Sequence, residues 1–152
     1  MQKIQSSCPS SMITDVFHRT FTSSPQKLDS VWESLNKRET FVKGQVFPFR
    51  VEFDNVSQEG AFQTGELNIH HGPLLSLHGA IGDVSADYRD LKYFYGSYVF
   101  SFRWIRPTRL EFFRRENSIE LKIHSYLKPW ARPLWRAGNA LFWKFFGITF
   151  LF

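Results

Sequence analysis

The chain closes on a long aromatic segment, Pro129 to Phe152, that follows an almost unbroken series of strand-like stretches. Leu134, Trp135, Gly138, Leu141, Phe142 and Phe145 recur there at helical spacing, with Arg132, Arg136 and Asn139 on the other side. A helix with so broad an apolar stripe needs a large partner, and the only one available is a sheet. The spacing therefore predicts a terminal helix gripped by an antiparallel sheet, with hollow space between them.

The upstream pattern supplies that sheet. Met12 to Phe21 reads as a first strand, followed by a helix start in which Ser24 caps orphan amides and Pro25 occupies the first turn. Leu28, Val31, Trp32 and Leu35 then share one helix face, and a short second helical turn is expected to end at Gly44. Strands are predicted around Phe47–Phe53, Phe62–Ile69, Leu74–Ile81, Leu91–Ile105, Leu110–Phe113 and Ile119–Tyr126, with a bulge at Gly96-Ser97. Ile119, Leu121 and Ile123 alternate with Glu120, Lys122 and His124, as in a sheet wet on one face only. The expected fold is α+β: a curved antiparallel sheet of six or seven strands around a long C-terminal helix, with one or two short helices after the first strand. Residues 1–11 read as a flexible leader and 12–152 as one domain.

This order, with Ser24-Pro25 leading into Val31-Trp32-Glu33-Ser34-Leu35 and an apolar terminal helix, resembles the START-like helix-grip superfamily. That superfamily (SRPBCC) joins lipid-transfer START domains, pollen-allergen-like proteins and polyketide cyclase-like enzymes. The resemblance implies an internal cavity for a hydrophobic or amphipathic small molecule or lipid; it implies no particular reaction, because the superfamily has no common catalytic signature. The sequence departs from the family at its apolar end, Phe145 to Phe152.

Within the expected strand Leu91–Ile105, alternation places Tyr98, Phe100, Phe102 and Trp104 on one face, with Trp135 and Leu141 opposite. Such a row fills a core or lines a ligand cavity; the resemblance favours the cavity. Arg103 or His71 would orient the ligand if either points inward. A cyclase- or aromatase-like or hydrolytic alternative would use His71, Tyr88 and Glu66 in the same cavity. Tyr88-Arg89-Asp90 offers an oxyanion-binding trio, although strand-end ion pairs take the same form. His70, His71 and His78 invite a metal reading, but adjacent His70 and His71 point to opposite faces of a strand and cannot easily share an ion, and no cysteine or carboxylate sits at ligand spacing, so neither a metal nor another cofactor is expected.

The net charge is +5, and residues 103–144 carry ten basic groups against three acidic ones. Arg103, Arg106, Arg109, Arg114 and Arg115 lie among aromatics but match no nucleic-acid-binding pattern, which argues against that partner. An anionic membrane surface would instead meet Arg132, Arg136 and Lys144 beside Trp143 and Phe150. The single cysteine, Cys8, reads as an exposed thiol in the leader and fits a reducing compartment. With no secretory signal pattern and no spanning apolar run, the expected location is cytoplasmic, or peripheral to a membrane.

Overall fold

Ser24 ends the first long strand and starts a helix because its side chain accepts from the Lys27 amide at 3.4 Å, and Pro25 contributes a φ already suited to the first turn. In this computed structural model the described residues are 2–3, 7–44, 50–54, 57, 59–72, 75–98 and 103–151. Side chains are described for all of these except 2–3, 72, 75, 92–98 and 146–151. Strands run β1 (Gln2–Lys3), β2 (Ile13–Thr22), β3 (Arg50–Asp54), β4 (Leu67–Gly72), β5 (Leu75–Val84), β6 (Tyr88–Tyr98), β7 (Ile105–Arg114) and β8 (Ser118–Leu127). Helices α1 (Pro25–Leu35) and α2 (Arg38–Lys43) follow β2, and α3 (Arg132–Leu151) closes the chain after a tight turn at Pro129–Ala131.

The eight-stranded sheet is antiparallel throughout, in the order β2-β8-β7-β6-β5-β4-β3. β1 pairs with β6 through Gln2↔Gly96 and Lys3↔Tyr95, so part of the expected leader belongs to the sheet. Cys8 is half-buried rather than exposed. β2 pairs with β8 from Ile13↔Leu127 to Thr22↔Ser118, which brings the first long strand beside the last. This is the expected helix-grip architecture.

Two irregularities bend β5 and β6 against each other. His78 faces Tyr95 while Gly79 faces Tyr93, which leaves Phe94 as the extra residue in place of the expected Gly96-Ser97 bulge. Between Ile81 and Val84 the extra residue lies on β5, and the Asp83 amide there donates to Asp90 Oδ1 at 2.7 Å. A Cβ on Gly82 would stand 2.1 Å from that same oxygen, so only glycine fits.

Alternation sorts the sheet into two faces. The inner face carries Val51, Phe53, Leu77, Ile81, Leu91, Leu110, Phe112, Leu121 and Ile123, all buried. Leu28, Val31, Trp32 and Leu35 of α1 pack against it as expected. Helix α3 adds Trp143, whose ring meets Phe112 edge-on at 5.9 Å.

The inward face of α3 is rotated from the predicted one. Trp135, Phe142 and Trp143 turn inward, whereas Leu134, Leu141 and Phe145 are 66%, 58% and 48% exposed. Two contacts fix this rotation. Arg132 Nε and Arg136 Nη2 hold buried Asp15 of β2 at 3.0 and 2.8 Å, and the Trp143 indole seats on Phe112. Asn139, expected outside, is buried and donates Nδ2 to the Trp135 carbonyl at 2.9 Å, which meets its polar need within the helix.

Candidate functional site

Register places three polar side chains on the inner face between β3 and β7. Val51 pairs with His70 and Phe53 with Asn68, which turns both polar residues inward with their apolar partners. Arg89 pairs with Phe112 and shares its direction. All three border a cavity of about 40 Å³. Phe41 of α2, Phe53, Phe62 and Phe112 supply aromatic wall, and Val51, Ile81, Leu91 and Leu110 supply aliphatic wall. Phe62 packs on Phe53 at 5.4 Å and on Phe41 at 5.5 Å. The space suffices for a group of a few heavy atoms.

Arg89 is the most demanding of the three. It is 3% exposed, and its guanidinium carbon lies 4.9 Å from the Trp32 ring and 5.7 Å from the Phe62 ring. Among the described residues no group accepts a hydrogen bond from its three guanidinium nitrogens. Burial lowers its pKa to about 9, so the group stays cationic at neutral pH. Asn68 Oδ1 is likewise buried without a protein partner. His70 is held neutral: burial, helped by neighbouring His71, lowers its pKa to about 4.

The outer face carries a different kind of cluster. Arg109 Nε donates to Asp90 Oδ2 at 2.9 Å, and Arg109 Nη2 donates to the Tyr88 hydroxyl at 2.5 Å. Tyr88 in turn donates to Glu111 Oε2 at 2.8 Å, while His124 Nε2 contacts Glu111 Oε1. Burial, then the bond to Glu111, pushes the Tyr88 hydroxyl above its usual range. Burial acts against ionisation of Glu111, but its bonds to Tyr88 and His124 and the Arg109 charge outweigh it and hold the carboxyl below its usual range. This network satisfies its own members and presents no poised nucleophile.

Several expected site residues stand elsewhere. Arg103 and Trp104 are exposed in a turn before β7, and Trp104 packs on Trp130 at 5.2 Å instead of facing the cavity. The side chains of Tyr98, Phe100 and Phe102 lie outside those described. Trp135 is half-buried against the core and Leu141 is exposed, and neither borders the cavity. His71 faces outward, with Glu52 Oε2 at 3.4 Å and Ser76 Oγ at 3.3 Å, because its neighbour His70 takes the inward position.

Tyr88 is outward too, and Glu66 is held by buried Arg38 through contacts of 2.5 and 3.0 Å. The proposed catalytic trio His71, Tyr88 and Glu66 is therefore not brought together. Arg89 and Asp90 do not pair either, since consecutive strand residues point apart. The sequence signal for Arg89 was that alternation itself, applied to Leu91 and Arg89 together. Among the described residues no cluster has the composition of a metal site.

The fold and this cavity define a helix-grip protein with an apolar internal pocket and a buried cation. No family model matches the chain, and no curated protein is similar enough to name. Among solved structures it is similar to norcoclaurine synthase from Thalictrum flavum, at a TM-score of 0.57 and 13% identity over 91% of this chain and 88% of that one. The same enzyme in complex with dopamine and hydroxybenzaldehyde aligns at a TM-score of 0.50 and 12% identity, covering 98% of this chain and 96% of that one. At these identities the likeness concerns the fold.

Proposed function

We propose that the protein binds a small hydrophobic or amphipathic molecule, without catalysis, in the cavity between α2 and strands β3 to β7. The observation that carries this reading is the conjunction of apolar walls with Asn68, His70 and Arg89 at one cavity. Small-molecule sites combine those two features. The fold supports it as well, since a protein of this architecture is seen with dopamine and hydroxybenzaldehyde bound. Apolar burial drives binding at about 25 cal/mol per Å². A ligand larger than the 40 Å³ cavity displaces Phe41, which is half-buried on a six-residue helix.

Native mass spectrometry of freshly purified protein, with titration of the Trp32 and Trp143 fluorescence by small aromatic probes, tests this. A co-purified mass or a saturable fluorescence change is expected. Protein that carries nothing and responds to no probe has a filled interior, and the reading fails.

A separate observation favours a second role. Exposed Leu134, Leu141 and Phe145 form one ridge on α3 flanked by exposed Lys144, which suits an anionic membrane surface, whereas Arg132 and Arg136 lie on the other side of the helix and hold Asp15. Trp143 is buried and takes no part, and the Phe150 side chain is outside those described. No described helix is long and apolar enough to cross a membrane. Co-sedimentation with anionic vesicles that falls on Leu134→Ser plus Leu141→Ser supports surface binding; unchanged or absent co-sedimentation removes it.

A further inference from the structure

Resting on the cavity reading above, we infer that the ligand is a small organic monocarboxylate and that Arg89 is its receptor. An ionised guanidinium is among the most costly groups to bury, and buried charges in proteins are as a rule paired. Arg89 breaks that rule at 3% exposure, with all three nitrogens lacking a protein acceptor. Its contacts with Trp32 and Phe62 attract the charge but leave the in-plane N–H donors unsatisfied.

The chain had a carboxylate close at hand and spent it elsewhere. Asp90 is the next residue, yet the Asp83 amide takes one of its oxygens and Arg109 the other. Glu111 is engaged by Tyr88, Arg109 and His124 on the same outer face. The inner cation is thus left without the counter-charge that the outer one receives twice over.

The cavity decides what kind of anion fits. A carboxylate is flat, accepts two parallel N–H bonds from a guanidinium and matches its single charge. A phosphate dianion would bring a second charge into an almost wholly apolar chamber whose polar lining beside Arg89 is neutral His70, the Asn68 amide and Asp90, the last with its carboxylate turned to the Asp83 amide and Arg109. Asn68 supplies one further polar contact, and the aromatic walls receive the hydrocarbon part. The short reach of a 40 Å³ space selects small acids.

Propionate and benzoate, each compared with its own amide, test the assignment by calorimetric titration and by the Arg89 Nε–H signal in NMR. Wild-type protein is expected to bind each acid at least 10-fold more tightly than the amide. The Arg89 Nε–H resonance should move downfield with the acid and hold still with the amide. Arg89→Met should abolish the preference for the acid while leaving the amide bound.

Acid and amide binding equally, an unmoved Arg89 resonance during acid binding, or undiminished acid binding by Arg89→Met would each overturn the assignment while leaving a ligand cavity in place. Binding of neither acid nor amide, together with silence toward all apolar probes, would instead remove the cavity reading beneath it. The NMR measurement uses the unaltered protein and stands even if Arg89→Met fails to fold.

Discussion

Two arginines on adjacent strands, Arg89 of β6 and Arg109 of β7, occupy opposite faces of the sheet and meet opposite fates. Arg109 is 37% exposed at its side chain and sits among Asp90, Glu111 and Tyr88, so solvent and protein share its charge. Arg89 is almost wholly buried, with two aromatic rings beside it and, among the described residues, no carboxylate hydrogen-bonded to it. The outer cluster completes itself within the chain, as structural networks do. The inner one leaves its strongest donor without an acceptor among the described residues, and the binding proposal rests on that difference.

Removing each charge in turn is the harshest way to break this contrast. Arg109→Met takes the Arg109 guanidinium away from Asp90, whose side chain is fully buried, and is expected to lower unfolding stability by about 3 kcal/mol in chemical denaturation. Arg89→Met removes an unpaired buried charge and should leave stability unchanged or raise it by up to about 2 kcal/mol, since the relieved desolvation exceeds the lost cation–π attraction. Equal losses from both substitutions would dissolve the distinction.

Gly82→Ala sharpens it from the backbone side. The new methyl would stand against Asp90 Oδ1, and a loss of about 2 kcal/mol in the same assay is expected, with the outer network disturbed and acid binding at Arg89 retained.

The two faces also differ in acid. His70 is neutral in the folded protein down to about pH 4, whereas the unfolded chain takes up that proton near 6.5. Between those values the unfolded state holds more protons, so this contribution is intact above pH 6.5 and is lost as pH falls toward 4. His70→Asn should flatten that part of the stability profile by about 1–2 kcal/mol, the discount reflecting partial exposure of the ring. Glu111, whose folded pKa is lowered, acts in the acid range below: its contribution is present above its unfolded pKa and fades as the carboxyl protonates. The smallest effect belongs to neither face: Ser24→Ala should cost about 0.5–1 kcal/mol by uncapping α1, with ligand binding unaltered.

Much of the architecture was legible because it follows from local rules. Ser24-Pro25 and the Leu28, Val31, Trp32 and Leu35 face define α1, and the alternation from Ile119 to His124 defines β8 and its wet side. The rotation of α3 was not legible, because aromatic and aliphatic residues surround most of its circumference and a moment cannot choose among them. Long-range partners chose instead: Asp15 for Arg132 and Arg136, and Phe112 for Trp143.

The site was only half visible for a related reason. The strand period makes His70 and His71 diverge, but which one faces inward depends on the pairing of Val51 with His70 across strands. Adjacency in sequence suggests Tyr88, Arg89 and Asp90 as one trio, either oxyanion-binding or a strand-end ion pair, whereas the strand period separates Arg89 from both neighbours. Its isolation is set by the distant carboxylates that Arg109 draws to the other face.

A crystal structure grown with propionate tests the central claim most directly. The account predicts a carboxylate in hydrogen-bond contact with the Arg89 guanidinium, its hydrocarbon end against Phe53, Phe62 or Phe112. A structure in which a side chain of the protein itself fills that position, or in which propionate binds only on the outer surface, would contradict it.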